Sequence, residues 1–282
     1  MLRKLEDKEF DIYVDMMYEL ACDYSKSSYP TPNNGIETKE SFIAYNKKAL
    51  SEDNAEILLF CDEDEVLGWI NYYFLKDDNY LDTDSMQASS KFDVMLSEFE
   101  QFVAEKYPTY DLWLGFSSKN TDATNYVEKH NFTLLDRAHN MILHLDKYNP
   151  IKNDELVEEL IFEEYEPFSR LHDLVCPDDV YWNSERIKAN FDKWKIFTYK
   201  SNGELLGSIY LRNSEIFGVD FTENVYNAKV FESLLIGMVN NFKLVGKDYI
   251  NYFCNDQELE IVKKVGFNYI DEYKSYLKKG KR

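Results

Sequence analysis

The sequence predicts an α+β fold laid down twice, each copy a mixed, mostly antiparallel sheet flanked by helices. Three observations lead there. Asn120 to Phe132 opens as a polar turn, continues as an amphipathic helix and breaks at His130-Asn131 before an apolar run. A weaker copy spans Asn255 to Phe267, and the pairs 120/255, 127/262 and 132/267 are each 135 residues apart. The hairpin segment Glu65-Val66-Leu67-Gly68-Trp69-Ile70 returns as Glu204-Leu205-Leu206-Gly207-Ser208-Ile209, 139 residues on, so the loop after it is about four residues shorter in the second half. A chain of 282 residues holds two such units at ordinary domain size.

In the first half, Leu2 to Leu5 reads as a short strand. Phe10, Tyr13, Val14, Met17, Leu20 and Ala21 then fall at helical spacing behind Asp7, a residue able to cap the helix. Tyr29-Pro30-Thr31-Pro32-Asn33-Asn34-Gly35 is a turn-rich loop, placed by position alone to act as a lid. Thr38 to Leu50 is a second helix. Ala55 to Phe60 and Val66 to Phe74 are strands joined through the charged tip Asp62-Glu63-Asp64-Glu65, and Tyr80 to Met86 is a further strand. Phe92, Met95, Leu96, Phe99, Phe102 and Val103 mark a long amphipathic helix. Leu112 to Phe116 is a buried strand, and after the Asn120 segment Phe132 to Leu145 is expected to close the unit.

Tyr148-Asn149-Pro150 suits a linker, which gives domains of 1–148 and 156–282. In the second half Leu160-Ile161-Phe162 is expected as a strand, followed by a helix with Phe168, Leu171 and Leu174 on one face. Trp194 to Tyr199 and Leu205 to Leu211 rebuild the hairpin through Ser201-Asn202-Gly203. Val230, Leu234, Leu235, Met238 and Phe242 rebuild the long helix. Tyr249 to Phe253 and Phe267 to Leu277 complete the copy.

Composition narrows the function classes. Lys and Arg number 32 against 52 Asp and Glu, a formal charge of −20 that repels polyanions and suits a cationic small-molecule or peptide amine; acidity that serves solubility alone fits equally well. The largest basic cluster is the tail Lys278-Lys279-Gly280-Lys281-Arg282, so no nucleic-acid partner is expected. No apolar run approaches a membrane span, and acidic residues interrupt Met1 to Leu20, so neither a membrane partner nor a signal peptide is expected. Cys22, Cys61, Cys176 and Cys254 are scattered without a close pair, which points to a reducing cytoplasm. A homodimer is compatible with the sequence. Gly-x-Ser-x-Gly, Walker and Cys-x-x-Cys motifs are all missing. His139 and His144 are an odd number of residues apart on one predicted strand, hence on opposite faces, and no metal is expected there.

Element order and two motifs give each half a resemblance to the GNAT superfamily of N-acetyltransferases, and the whole chain resembles a tandem GNAT protein. In that family the helical segment reads Asn-x-x-Ala-x-x-aromatic-Tyr-x-Lys-x-Gly-Phe; here Asn120, Ala123, Tyr126, Lys129 and Phe132 match. The resemblance implies acetyl-CoA as co-substrate and direct transfer of its acetyl group to an amine, with the pantetheine arm in a gap between splayed strands and Asn120 hydrogen-bonded to it. It also implies a phosphate loop, Arg/Gln-x-x-Gly-x-Gly/Ala, where backbone N–H groups at a helix start meet the pyrophosphate. The aligned residues are Gln87, Ala88, Ser89, Ser90, Lys91 and Phe92, preceded by Met86. Gln87 fits, Ser90 and Phe92 replace small residues, and a plain helix start with no ligand accounts for the stretch as well.

The family's Tyr acid is replaced by Val127 and Val262, neither of which transfers protons. Tyr126, one position away and about 100° around the helix, is the remaining candidate for the acid, with core filling the simpler role. Asp82 and Asp84 alternate on the fourth strand, Tyr80 to Met86, and are the candidate general bases; a solvated strand face is the competing account. The opposing functional expectation is a GNAT-like binding or assembly module without transfer chemistry.

Overall fold

The computed structural model describes residues 1–28, 38–153, 156–176 and 180–281. The proposed lid, Tyr29 to Gly35, lies outside the described residues. The chain forms two compact units, Met1–Ala138 with Asp271–Arg282, and His139–Ile270.

The first unit contains strands β1 (Leu2–Lys4), β2 (Ala55–Asp62), β3 (Glu65–Leu75), β4 (Tyr80–Ala88), β5 (Asp111–Ser117) and most of β12 (Asn268–Lys278), ordered β1-β2-β3-β4-β5-β12. β4 and β5 are parallel and the other pairs are antiparallel. Alternate residues of β2 supply two cores, as the two-residue period of a strand requires. Ile57 and Leu59 pack with Trp69 beneath α1 (Phe10–Ala21) and α2 (Lys39–Leu50). Leu58 and Phe60 join the opposite layer under α3 (Phe92–Lys106) and α4 (Thr121–Lys129). A Cβ at Gly68 would sit 2.3 Å from the Gln87 carbonyl oxygen, so only glycine lets β3 lie this close to β4.

The second unit repeats the plan with β6 (Thr133–His144, from His139 onward), β7 (Val157–Glu159), β8 (Trp194–Ser201), β9 (Glu204–Arg212), β10 (Glu215–Phe221) and β11 (Tyr249–Cys254), ordered β6-β11-β10-β9-β8-β7. Helices α7 (Ala228–Leu244) and α8 (Leu259–Val265) cover one face, α5 (Tyr165–Val175) and α6 (Ser184–Ala189) the other. The 135-residue echo extends to backbone detail. Phe132 N–H donates to the Val127 carbonyl at 3.3 Å, and Phe267 N–H donates to Val262 at 3.2 Å. The intervening residue is left-handed in both copies, Asn131 (φ 60°) and Gly266 (φ 116°), the two residue types that tolerate this conformation most readily.

Two sequence expectations are corrected. The closing strands are exchanged relative to boundaries at 1–148 and 156–282. β12 pairs with β5, Tyr273 opposite Ser117 through Lys278 opposite Leu112, while β6 pairs with β11. Met141, Leu143 and Leu145 accordingly enter the second unit's core and Tyr276 the first unit's. Both strands carry a similar apolar pattern, so patterning alone cannot say which sheet each completes. The strand expected at Leu160 to Phe162 lies earlier, at Val157–Glu159, and Phe162–Glu164 is a 3-10 turn. Only Leu160 is buried; Ile161 and Phe162 are exposed.

Candidate functional site

β4 and β5 pair at Tyr80–Asp111, Leu81–Leu112 and Asp82–Trp113 and then part. On its other side β4 stays paired with β3 as far as Ala88, with one irregularity: Asn71 faces Ser85 and Tyr72 faces Thr83, which leaves Asp84 as the extra residue of a β-bulge. Bulges re-aim side chains, and this one falls where the sheet opens.

The gap contains part of the chain itself. Lys26 to Ser28, just beyond α1, runs antiparallel to β4 with Ser27 opposite Gln87. Ser28 N–H donates to the Met86 carbonyl (2.8 Å), Ala88 N–H to the Lys26 carbonyl (3.0 Å), and Met86 N–H to Ser28 Oγ (2.9 Å). Across the gap Ser117 N–H of β5 donates to the Ser28 carbonyl (3.3 Å). Asn120 caps α4, its Oδ1 accepting from Ala123 N–H at 3.1 Å, while its Nδ2 donates to the Ser27 carbonyl at 3.0 Å. Asn120 and Ala123 are fully buried. The segment therefore straps the open part of the sheet with peptide groups. A pantetheine arm carries the same amide chemistry, so the β4 edge and Asn120 fit such a ligand once the strap leaves. Thr83 Oγ1, Ser85 Oγ and both polar atoms of the Gln87 amide are buried along β4 without hydrogen-bond partners among the described residues. Such orphans call for water or a ligand.

Asp82 and Asp84 are brought together at the parting point. Asp82 accepts from the Tyr80 hydroxyl (2.6 Å) and Thr83 N–H (2.7 Å), yet burial, with the neighbouring Asp84 charge, pushes its carboxyl up to about 7. Burial likewise raises Asp84 to about 6, against the opposing influence of the Tyr45 phenol on α2. Both are carboxylates able to exchange protons near neutral pH. Phenol hydroxyls reach both acids, Tyr80 to Asp82 and Tyr45 to Asp84, and the Tyr80 ring packs 6.0 Å from Tyr73 and 5.5 Å from Trp113, centroid to centroid.

The chain matches none of the known family models, and no curated protein is similar in sequence. Solved structures are similar in fold. A GCN5-related N-acetyltransferase from Sphaerobacter thermophilus superposes with a TM-score of 0.67 at 11% identity, covering 99% of this chain and 95% of that one. A tandem GNAT protein from the clavulanic acid biosynthesis pathway gives 0.64 at 10% identity, covering 100% and 99%. A glucosamine N-acetyltransferase region of a fungal multi-domain β-N-acetylglucosaminidase gives 0.63 at 9% identity, covering 99% of this chain and 38% of that one. The chain has the fold of the GNAT acetyltransferases. At these identities the likeness speaks for the fold alone.

Within that GNAT fold the remaining candidates are less concentrated. Met86 is core, and its contribution at the gap is its backbone. Ser89 donates N–H and Oγ to the Leu67 carbonyl (2.8 and 3.1 Å), tying the loop to β3. Ser90 is exposed. Lys91 is left-handed (φ 54°) and ion-paired with Asp62, and it precedes α3 without a side-chain cap. Phe92 is buried, edge-on to Phe116 at 6.1 Å. Its side chain belongs to the core under α3. Tyr126 is buried, stacked on His130 at 3.9 Å, with its hydroxyl donated to Glu100 of α3 (2.9 Å) and raised to about 12 by burial. Its proton is committed to a structural bond, and Tyr126 has no part in the chemistry we propose. Val127 and Val262 are fully buried core residues.

The strap and the Tyr45–Tyr80 surround escape sequence reasoning. Lys26-Ser27-Ser28 has no periodicity to distinguish it from loop, and a single tyrosine on α2 carries no signal. The bulge at Asp84 leaves no trace in residue type either.

Proposed function

We propose that this protein is an N-acyltransferase that moves an acetyl group from acetyl-CoA to the amine of a cationic acceptor, with its reacting centre in the first unit beside Asp82 and Asp84. The observation that carries this reading is the pair of carboxylates with near-neutral proton affinity at the point where β4 leaves β5. An ammonium acceptor must lose a proton before it attacks, and a base matched to ambient pH does this best. Asp84, on the bulge and with fewer hydrogen bonds of its own, takes that proton. Asp82, held by Tyr80 and Thr83, helps hold the cation in place.

Acetyl-CoA would supply the activated acetyl thioester. Asn120, the Met86 carbonyl and the Met86 and Ala88 N–H groups would hold its arm in place of Lys26–Ser28, with Ala123 leaving room above Asn120. Gln87, Ser89, Ser90 and Lys91 stand nearest the start of α3 for the phosphate end. The departing thiolate takes its proton from water, since Val127 has none to give. The glucosamine N-acetyltransferase likeness agrees with an amine acceptor. The free cysteines support a cytoplasmic location as part of this reading. No helix among the described residues is long and apolar enough to cross a membrane.

One observation favours a second reading, a GNAT-like binding or assembly module. The strap fills the gap with the chain's own backbone. The two readings separate in one experiment: calorimetry with acetyl-CoA, followed by thiol-release kinetics against polyamines, aminoglycosides and lysine peptides. Turnover that falls by about 100-fold or more in Asp84→Asn, the usual scale for loss of a general base, supports the transferase. Binding without turnover supports the module, and no binding at millimolar acetyl-CoA ends the transferase reading.

A further inference from the structure

The second unit has its own parting of strands. β10 and β11 pair only at Glu215–Asn251 and Ile216–Tyr252. Beyond this point lies a cleft of about 410 Å³, lined in part by Cys176, Tyr210, Asp220, Tyr226 and Glu258. Two of its lining residues, Cys176 and Asp220, converge with His172, which is buried behind them. His172 and Cys176 are one helical turn apart at the end of α5, with Cys176 N–H donating to the His172 carbonyl at 2.9 Å. Asp220 comes from β10. Nδ1 of His172 lies 2.9 Å from Asp220 Oδ2 and 3.5 Å from Cys176 Sγ. The three donor atoms all lie within 4.8 Å of one another.

The outer contacts matter as much as the inner ones. His172 Nε2 is 2.8 Å from the Trp182 carbonyl oxygen. A carbonyl only accepts, so Nε2 bears a hydrogen there, and Nδ1, 2.9 Å from Asp220 Oδ2, is the nitrogen whose proton a metal would replace; Cys176 Sγ lies 3.5 Å from both ring nitrogens. A histidine that ligates through one nitrogen is ordinarily fixed by such a bond from the other. Ser208 Oγ supports Asp220 Oδ2 at 3.4 Å, and Tyr210 stands edge-on to the imidazole with centroids 5.1 Å apart. Gly218 makes room for that tyrosine: a Cβ there would lie 2.2 Å from the Tyr210 hydroxyl oxygen.

We propose that His172, Cys176 and Asp220 form a three-ligand site for a zinc-class divalent cation, with its fourth position open to the second unit's cleft. Metal–ligand lengths of about 2.0 Å to nitrogen and oxygen and about 2.3 Å to sulfur put tetrahedral edges at about 3.3 Å for N···O and about 3.5 Å for N···S. The observed 2.9 and 3.5 Å therefore need only a few tenths of an ångström of carboxylate movement. Thiolate and carboxylate together neutralise a dication where His172 and Asp220 are almost wholly buried. Thiolate with imidazole selects zinc over the hard cations magnesium and calcium. Three protein ligands and one free position is the arrangement of a metal that meets a ligand, not of a closed structural knot. The site is independent of the acetyl-transfer reading and of Asp82 and Asp84.

The test uses the full chain, stripped with chelator and titrated with cobalt(II) and then zinc(II). The expected result is one cobalt per chain, with tetrahedral visible bands and a thiolate-to-cobalt charge-transfer band that zinc bleaches. Cys176→Ser, nearly isosteric at the helix end, should lose the charge-transfer band and bind at least about tenfold more weakly, by analogy with the losses seen even for outer-shell changes. Asp220→Asn should keep the band and weaken binding. Cys61→Ser should change nothing. No cobalt spectrum in the wild type overturns the proposal, as does a thiolate band that persists unchanged in folded Cys176→Ser.

Discussion

Replacing Ser28 with alanine tests whether the strap competes with acetyl-CoA. Among the described residues, five hydrogen bonds hold Lys26–Ser28 in the gap: Ser28 N–H to Met86, Ala88 N–H to Lys26, Met86 N–H to Ser28 Oγ, Ser117 N–H to Ser28 and Asn120 Nδ2 to Ser27. At about 1 kcal/mol net each they stabilise the strapped state by roughly 5 kcal/mol. Ordering three residues costs roughly 3–6 kcal/mol of backbone entropy. The two nearly cancel, so displacing the strap costs on the order of 0–2 kcal/mol and the open fraction lies between roughly 0.03 and 0.5. Ser28→Ala removes the Oγ acceptor and leaves the buried Met86 N–H unpaired in the strapped state, a penalty of about 1–3 kcal/mol that an incoming amide ligand relieves. Acetyl-CoA should then bind about 2- to 30-fold more tightly by calorimetry, because the conformational cost is lifted. Ser25→Ala, which touches only Asp23, should leave affinity unchanged. Equal or weaker binding by a folded Ser28→Ala protein refutes the competition. So does an absence of binding by both proteins at millimolar ligand.

Four further outcomes are expected. The rate of acyl transfer should rise with pH along an acid limb set by the Asp82–Asp84 pair, whose carboxyls are raised to about 7 and about 6; Asp84→Asn should remove that limb, and a limb at the ordinary carboxylate range near 4 would contradict the geometry. Because both folded-state values lie above the unfolded ones, these groups favour the folded state below about pH 4, and that contribution is lost as pH rises to about 7, so Asp82→Asn should raise the melting temperature at pH 8 more than at pH 5. Tyr126→Phe should keep the transfer rate within about twofold and cost about 1 kcal/mol in urea titration, the value of one hydrogen bond to Glu100; a loss of about 100-fold in rate would restore Tyr126 as the acid. Gly68→Ala should cost about 1–3 kcal/mol or more from the clash with the Gln87 carbonyl, whereas Gly203→Ala, with φ +82° and open space around it, should cost only the roughly 1–2 kcal/mol of left-handed strain; equal costs at the two sites would undo the close-approach argument.

What could be read from the sequence divides along a physical line. Helices α1, α3, α4 and α7 and strands β2, β3, β8 and β9 are announced by periodicity, because each buries one face against a layer that accepts no other spacing. The 135-residue echo is announced too, because Phe132 and Phe267 close the same turn against Val127 and Val262. β10 is not announced, since a bulge at Ile216–Gly218 breaks its alternation. The exchange of β6 and β12 is silent for a different reason: Met141, Leu143 and Tyr276 look alike to any core of the right size, and only the register of long-range pairing selects one.

The candidate sites follow the same division. Asp82, Asp84 and Asn120 can be singled out from the sequence because strand alternation and helix capping are local rules; the structure sets the two carboxylates near each other on β4 and Asn120 at the start of α4. Their environment is not local. Tyr45 on α2, Ser27 beyond α1 and the parting of β4 from β5 meet only through tertiary pairing. His172 and Cys176 had a local signal, four residues apart on a helix, but a two-ligand spacing has little meaning until β10 delivers Asp220. The two copies therefore diverge in chemistry while converging in backbone: one gap holds a strap of peptide groups beside two carboxylates, the other an open cleft beside a thiol, an imidazole and a carboxylate. Duplicating the fold keeps the parting of strands, because the sheet geometry that creates it is shared. The side chains that line it are released from that constraint, so the chemistry of each gap has to be tested separately.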